Sequence, residues 1–153
     1  MQKGRVDLAR LLVEYGADVR VKDHSGSTPL HFAVWAGSMD ATRLLTEYGA
    51  DVTAQDNDGW SSLHWAVQEG SLGLTGLLVE HGADVAAQDN DGWTPLHWAI
   101  QKGSVDLTRI LVEHGADVLV YDKNGWTPLH WAVQKDSLDL ARLLVEYLTD
   151  ATS

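Results

Sequence analysis

Apolar residues recur along the chain at a spacing that predicts short helices. Leu96, Ala99 and Ile100 lie at positions i, i+3 and i+4, which is the spacing of one buried helical stripe. The same spacing returns from Leu107 onward, and Gly103 separates the two stretches. Each helix would have about ten residues, which is too short to be stable alone in water. The pattern therefore predicts a pair of short helices that needs neighbours to bury its apolar surface.

Polar residues between the apolar stretches mark where each helix begins and ends. Residues 89–92 read DNDG, a sequence typical of a tight turn whose glycine adopts a left-handed conformation. Thr94 is a suitable N-cap, and Pro95 at the first helical position loses no hydrogen bond that the helix needs. Ser104 follows Gly103 and is placed to cap the second helix. We therefore predict a unit made of a turn and two helices.

This unit recurs with a period of 33 residues and without insertions. The tetrad Gly-Ala-Asp-Val begins at Gly16, Gly49, Gly82 and Gly115. We divide the chain into a half-unit at 1–22 and four units at 23–55, 56–88, 89–121 and 122–153, called the first to fourth units below. Because one pair of helices cannot bury both of its faces, the units are expected to stack into a single solenoid domain over 1–153.

The motif at the start of each first helix resembles the ankyrin repeat family. Thr-Pro-Leu-His begins at Thr28, Thr94 and Thr127, and Ser61 begins a degraded copy, Ser-Ser-Leu-His. The resemblance covers nearly the whole chain. It implies an all-α ankyrin-repeat solenoid of stacked helix-turn-helix units, whose turns and first helices form a concave groove. It also implies a protein-binding module without catalysis or a cofactor, and this last step is an analogy.

The composition and charge of the chain limit the classes of partner that it can bind. The chain has a formal net charge of −11, 44% hydrophobic residues, 22% charged residues and no cysteine. An acidic surface repels nucleic acid and anionic membranes, and no apolar run is long enough to cross a bilayer. Without cysteine there are neither disulfides nor thiolate metal sites. The compartment stays open, with a cytoplasmic or nuclear location favoured.

Residues that suggest chemistry are better explained by the repeat. Stacked helices lie about 8–10 Å apart, so the histidines of successive units cannot share a metal ion. The resemblance gives them a structural role instead. These histidines are His31, His64, His97 and His130. The DNDGW turns lack the spacing of a calcium loop, and their first aspartates are predicted to bond to their own backbone. The sequence thus predicts no enzyme, metal site or cofactor.

Tryptophan occurs in two rows, each with the period of the repeat. The first row follows the turn glycine and consists of Ser27, Trp60, Trp93 and Trp126. The second row lies inside the first helices and consists of Phe32, Trp65, Trp98 and Trp131. For the second row we favour an inter-unit ladder over a binding surface. For the first row we narrowly favour partner binding over a ring that folds across the turn, because tryptophan is enriched in interface hot spots.

The predicted binding surface combines the first-row rings with polar positions of the turns and first helices. The candidate residues are Trp35, Asp58, Trp60, Gln68, Glu69, Asp91, Trp93, Gln101, Lys102, Trp126, Gln134 and Lys135. Such a surface suits a protein or an extended peptide that carries Lys or Arg, or a proline-rich segment. The similarity of the units leaves an alternative open, a purely structural or engineered scaffold or spacer without its own ligand.

Several positions depart from the repeat. Asp136 replaces a glycine and should strain or reshape the end of its helix, and Leu148 replaces the glycine that ends the other second helices. Gly73 and Gly76 should make the second unit the least stable. The half-unit lacks a first helix, so we expect poorly capped ends, a segment of a longer array, or self-association. The apolar residues at risk of exposure there are Val6, Leu8, Leu11 and Leu12.

Overall fold

The computed structural model describes residue 16 and residues 18–152, with side chains up to residue 149. The helices are α1 (Pro29–Trp35), α2 (Met39–Glu47), α3 (Ser62–Gln68), α4 (Leu72–Glu80), α5 (Pro95–Gln101), α6 (Val105–Glu113), α7 (Pro128–Gln134) and α8 (Leu138–Thr152). Within these residues the extended structure amounts to one isolated bridge, between Gln55 and Ser61. The all-α prediction is confirmed.

The helices form two layers, as the repeat predicts. The first helices α1, α3, α5 and α7 contact one another in chain order, and the second helices α2, α4, α6 and α8 form the other layer. Leu63, Leu96 and Ile100 are fully buried between the layers. One hydrophobic cluster runs through all four units. Each unit therefore contributes part of a continuous core, which explains why its short helices are stable.

Both sets of helices begin at the capping residues that the sequence predicts. Thr94 caps α5, and its side chain accepts a hydrogen bond from the backbone N–H of His97. Ser104 caps α6 by accepting from the backbone N–H of Leu107 at 3.1 Å. Pro95 occupies the first turn of α5. These caps pair backbone groups that a helix end would otherwise leave unpaired.

The departures from the repeat have different outcomes at the two ends of α8. Asp136 has φ of 54° and retains the left-handed conformation of the glycines at its position, so this turn is strained and not reshaped. At the other end, no glycine stops α8, which runs through Leu148 and reaches Thr152. The other second helices have 9 residues, whereas α8 has 15.

The predicted exposure of Val6, Leu8, Leu11 and Leu12 concerns residues outside the described part of the chain. At the opposite end, the outer face of the fourth unit is open. Val133 is 65% exposed, whereas Val67 and Ile100, at the same position of earlier units, are fully buried by the unit that follows. None of the helices within the described residues is long and apolar enough to cross a membrane.

Candidate functional site

The aspartate that opens each turn organises the surface around it. In the third unit, Oδ1 of Asp89 accepts hydrogen bonds from the backbone N–H groups of Asp91 and Trp93, both at 2.9 Å. Its Oδ2 accepts a bond from the indole Nε1 of Trp98 at 3.0 Å. Asp89 is 5% exposed, so these bonds satisfy a nearly buried carboxylate. The predicted turn role is confirmed, and the bond to the ring is an addition to it.

The same arrangement occurs in the second and fourth units. Trp65 Nε1 donates to Oδ2 of Asp56 at 3.3 Å, and Trp131 Nε1 donates to Oδ2 of Asp122 at 3.0 Å. Burial raises the pKa of Asp122, but hydrogen bonds from the backbone of Trp126 and from Trp131 outweigh it. The pKa of Asp122 therefore lies below its ordinary value. The carboxylate is held in its charged form, which is the form that binds the ring.

The histidines of the first three units, His31, His64 and His97, each join their own unit to the next one. The backbone N–H of Ser61 donates to Nδ1 of His64 at 3.2 Å, and Nε2 of His64 lies 3.0 Å from the carbonyl of Trp93. A backbone N–H only donates and a carbonyl only accepts, so His64 is neutral and carries its proton on Nε2. Burial lowers the pKa of His64, which favours this neutral form. The structural role implied for these histidines is confirmed.

Backbone hydrogen bonds also link successive turns. The backbone N–H of Asn90 donates to the carbonyl of Asp58 at 3.0 Å, and its side-chain Nδ2 donates to the carbonyl of Asn57 at 3.0 Å. At the last junction Lys123 replaces the asparagine, and only its backbone N–H bonds to the previous turn, at 3.3 Å from the carbonyl of Asp91. The turns therefore form a continuous edge along the stack.

All seven tryptophans form one aromatic ribbon along this edge. The ribbon runs, ring to ring, through Trp35, Trp65, Trp60, Trp98, Trp93, Trp131 and Trp126. Neighbouring ring centroids are separated by 4.4 to 5.2 Å. Each such contact is worth about 0.5–1.5 kcal/mol beyond the area that it buries. The prediction of two separate ladders is wrong in this respect, because Trp60 and Trp93 each lie between two second-row rings and Trp126 contacts one.

The two rows still differ in how their rings are held. The second-row rings pack against the hydrophobic core and bond to the turn aspartates. Trp60, Trp93 and Trp126 lie outside that core, and their indole N–H groups have no hydrogen-bond acceptor among the described residues. These N–H groups are not buried, so water or another molecule reaches them. The first-row rings thus have indole N–H donors that are accessible and have no acceptor among the described residues.

Trp35 belongs to the same ribbon but differs from the rest. Its ring meets Trp65 edge-on at 5.2 Å and Phe32 edge-on at 4.8 Å. The Nε1 atom of Trp35 is buried without an acceptor in the described part of the chain. Phe32 has no N–H to offer a turn aspartate and is 52% exposed. Trp35 therefore covers the start of the ribbon, where the first unit lacks its own second-row tryptophan.

The remaining candidate residues lie at the turns and at the ends of the first helices. Asp58, Glu69, Asp91, Gln101, Lys102, Gln134 and Lys135 are exposed, and Gln68 is half-buried. Lys102 reaches back across one unit and donates to the carbonyl of Gln68 at 2.6 Å. Lys123 lies 4.0 Å from Asp91. The turn edge, the ribbon and these polar side chains thus form one surface, which we call the candidate face.

The candidate face offers no site for a metal ion. Across the described residues, no three histidine and acidic side chains are placed to hold a cation. The loop histidines His81 and His114 cap their helices, because each Nδ1 contacts a backbone carbonyl four residues earlier, at 2.8 and 2.7 Å. What the face presents is aromatic rings, indole donors, amides and separate charges. These groups suit non-covalent binding.

The bonds from the second-row tryptophans to Asp56, Asp89 and Asp122 were not predicted from the sequence. Their signal is present in the sequence, because Asp56, Asp89 and Asp122 are each followed nine residues later by tryptophan. Asp23 breaks the rule, since Phe32 lies nine residues after it. A donor that recurs in three units, nine residues after an acceptor each time, predicts a bonded pair.

Comparison with known proteins gives one family. The family model described as ankyrin repeats (3 copies) matches residues 1–89 and, in a second match, residues 63–153. No curated protein matches the chain. The two matches overlap in the second unit and together span the whole sequence.

Proposed function

We propose that this chain, which belongs to the ankyrin repeat family, binds a partner protein or peptide through the candidate face. Ankyrin repeats generally serve in protein–protein interaction. Binding would be non-catalytic and would need no cofactor. The face is rigid because the aspartate bonds and the ribbon hold it before any partner arrives. Pre-organisation of this kind lowers the entropic cost of association.

The observation that carries the proposal is the set of indole N–H groups on the first row. Trp60, Trp93 and Trp126 each have one donor without an acceptor among the described residues. Tryptophan that offers both a ring and a donor is the residue type most enriched in interface hot spots. The second-row rings bond to aspartate in every unit that has them, so the two rows differ in chemistry and not only in position.

A site-specific crosslinking experiment tests the proposal. A photo-reactive residue is placed at Gln101 on the candidate face or, as the control, at Arg109 on the second-helix layer. Both positions are exposed. In a lysate, we expect a defined protein to be crosslinked from position 101 and not from position 109. Crosslinking should weaken when Trp60, Trp93 and Trp126 are changed together to Phe, because an aromatic ring remains at each position while the N–H donor is lost.

Two results would contradict the proposal. Equal crosslinking from positions 101 and 109 would show that partners do not select the candidate face. No crosslinked protein from either position would favour the alternative of a structural or engineered scaffold without its own ligand. Circular dichroism of each variant serves as the folding control.

We also propose self-association through the outer face of the fourth unit. Val133 and Leu138 are 65% and 69% exposed there, and His130 is exposed, whereas the equivalent His97 donates to the turn of the next unit. Apolar exposure of this kind marks a surface that another unit can cover. Val133→Lys should abolish a concentration-dependent increase in mass measured by sedimentation. A wild-type chain that stays monomeric at high concentration would refute self-association.

A further inference from the structure

The charge at the variable positions of the candidate face changes sign along the stack. Each unit has four variable positions on this face, two in the turn and two at the end of the first helix. In the second unit they hold Asn57, Asp58, Gln68 and Glu69; in the third, Asn90, Asp91, Gln101 and Lys102; in the fourth, Lys123, Asn124, Gln134 and Lys135. The second unit thus has two carboxylates, the third has one charge of each sign, and the fourth has two ammonium groups.

The charges at the two ends of this gradient are not neutralised within the chain. Among the described residues, neither Asp58 nor Glu69 has a cation within 4.0 Å, and Lys135 has no carboxylate within that distance. Lys123 lies 4.0 Å from Asp91, but both side chains are well exposed, so the pair is worth little. Two lysines approach the second unit, and each donates to a backbone carbonyl: Lys22 to that of Gln55 at 3.4 Å and Lys102 to that of Gln68 at 2.6 Å.

Other charges near the face do not reverse the gradient. The turn aspartates Asp56, Asp89 and Asp122 recur in every unit, and their oxygens accept bonds from the turn and the ring. Asp136 adjoins Lys135, and together with Asp122 it brings the formal charge of the fourth unit on this face to zero, against −1 in the third unit and −3 in the second. The fourth unit therefore remains the most basic part of the face and the second unit the most acidic.

Ring distances set the length over which the charge changes. Trp98 lies 4.8 Å from Trp60 and 4.7 Å from Trp93, so the centroids of Trp60 and Trp93 are within about 10 Å of each other. Two such steps separate the second unit from the fourth, or about 20 Å. An extended peptide covers 3.3–3.6 Å per residue, so about six residues span this distance.

We infer that the candidate face binds an extended peptide segment whose two ends carry opposite charges. Basic side chains would lie over the second unit, where Asp58 and Glu69 are unpaired and the ring of Trp60 is available for a cation–π contact. Acidic side chains would lie about six residues away, over Lys123 and Lys135. Because the charges differ at the two ends, such a segment binds in one direction only. The inference rests on the proposed function and specifies the chemistry of the partner.

Synthetic peptides of identical composition test the direction and the spacing. One peptide reads Arg-Arg-Pro-Ser-Pro-Ser-Glu-Glu, the second has the two charged blocks exchanged, and the third alternates Arg and Glu. All three are close to neutral, so the acidity of the whole chain does not favour any of them. By calorimetry at about 50 mM salt, we expect one block order to bind at least about ten-fold more tightly than the other two peptides.

Charge-reversal variants locate the effect. Asp58→Lys with Glu69→Lys should remove the preference between the two block orders. The matched control, Asp106→Lys with Glu113→Lys, makes the same change in net charge on exposed positions of α6 and should alter affinity by less than about two-fold. Circular dichroism confirms that both variants fold.

Three outcomes would overturn the inference. The first is binding of the alternating peptide as tight as that of the better block order. The second is a control reversal that weakens binding as much as the reversal at Asp58 and Glu69. The third is that none of the three peptides binds. In each case the crosslinking experiment with position 101 decides separately whether the candidate face binds proteins. The inference about the charges of the partner and the proposed function can therefore be refuted independently of each other.

Discussion

At the residue scale, the most informative pair is a tryptophan and the aspartate nine residues before it. Trp98 and Trp93 are neighbours in the ribbon, with ring centroids 4.7 Å apart, yet only Trp98 donates to the carboxylate of Asp89. Hydrogen bonds to charged groups contribute about 1.5–3 kcal/mol, and a nearly buried carboxylate that loses a donor carries an additional desolvation cost. Two residues of the same type thus have different energetic roles.

Phenylalanine substitutions should separate these roles. Trp98→Phe and Trp93→Phe remove the same part of the ring, but only the first removes a hydrogen bond to Asp89. We expect Trp98→Phe to lower the free energy of unfolding by about 1–2 kcal/mol more than Trp93→Phe, as measured by urea titration. Equal losses would show that the bond to Asp89 contributes nothing measurable.

The first-helix histidines make stability depend on pH. Burial lowers the pKa of His31, His64 and His97 in the folded chain, whereas an unfolded histidine titrates near about 6.5. The unfolded chain then binds more protons on acidification, so the stabilisation is present above about pH 6.5 and is lost as the pH falls through the lowered pKa. Urea midpoints measured from about pH 7.5 to 5 should decrease.

A control variant separates the effect of the buried histidines from that of the exposed loop histidines. His81 and His114 lie in exposed loops, so changing both to Gln should leave the decrease in place. A urea midpoint that stays constant down to about pH 5, or a decrease that disappears in the loop variant, would refute the assignment.

At the scale of elements, the turns are fixed both by their own conformation and by the next unit. Gly59 has φ of 81°, and a Cβ added there would lie 2.8 Å from the backbone N of Asn90. Gly125 has φ of 77° but no neighbour within 4 Å of such a Cβ. The two glycines share the conformational requirement, and only Gly59 adds a close approach between units.

Alanine at these glycines should show the difference. Gly125→Ala carries the cost of a left-handed alanine, about 1–2 kcal/mol. Gly59→Ala carries that cost and also forces the second and third turns apart, so its loss of unfolding free energy should be larger by at least about 1 kcal/mol. Thermal and urea unfolding of the two variants provide the comparison. Indistinguishable losses would mean that the turn-to-turn contact is not tight.

The sequence predicts the elements well because their signals are local. Thr94 and Ser104 cap their helices, and Asp89 bonds to its own turn, through contacts within a few residues. The conformation of Asp136 was predicted only as strain or reshaping, because the balance between a strained residue and a distorted helix end depends on tertiary packing. The greater softness expected of the second unit from Gly73 and Gly76 remains a prediction.

At the scale of the whole molecule, the face was less predictable than the fold. The repeat indicates which residues recur, and stacking then follows from the need to bury both helix layers. Contact between the two tryptophan rows depends on the orientation of each side chain relative to the next unit. The 33-residue period of the sequence does not determine that orientation. The position of the exposed candidates was predicted from the family resemblance, and their role in binding remains a proposal.

The whole-molecule account implies a division between holding the stack and meeting a partner. The second-row rings pack on the core and bond to the turn aspartate of their own unit. The first-row rings retain their donors, and Trp60 and Trp93 contact the second-row ring of the next unit. The charge gradient then gives the face a direction. If the proposed function is right, stability and binding depend on adjacent rings of one ribbon, so a variant that removes whole rings disturbs both.

Hydrogen exchange of the indole N–H groups, followed by NMR, tests this division most directly. The account predicts slow exchange for Trp65, Trp98 and Trp131, which donate to aspartate, and fast exchange for Trp60, Trp93 and Trp126, whose N–H groups have no acceptor in the described part of the chain. Similar exchange rates in the two rows, or protection of the first row in the absence of any partner, would contradict it.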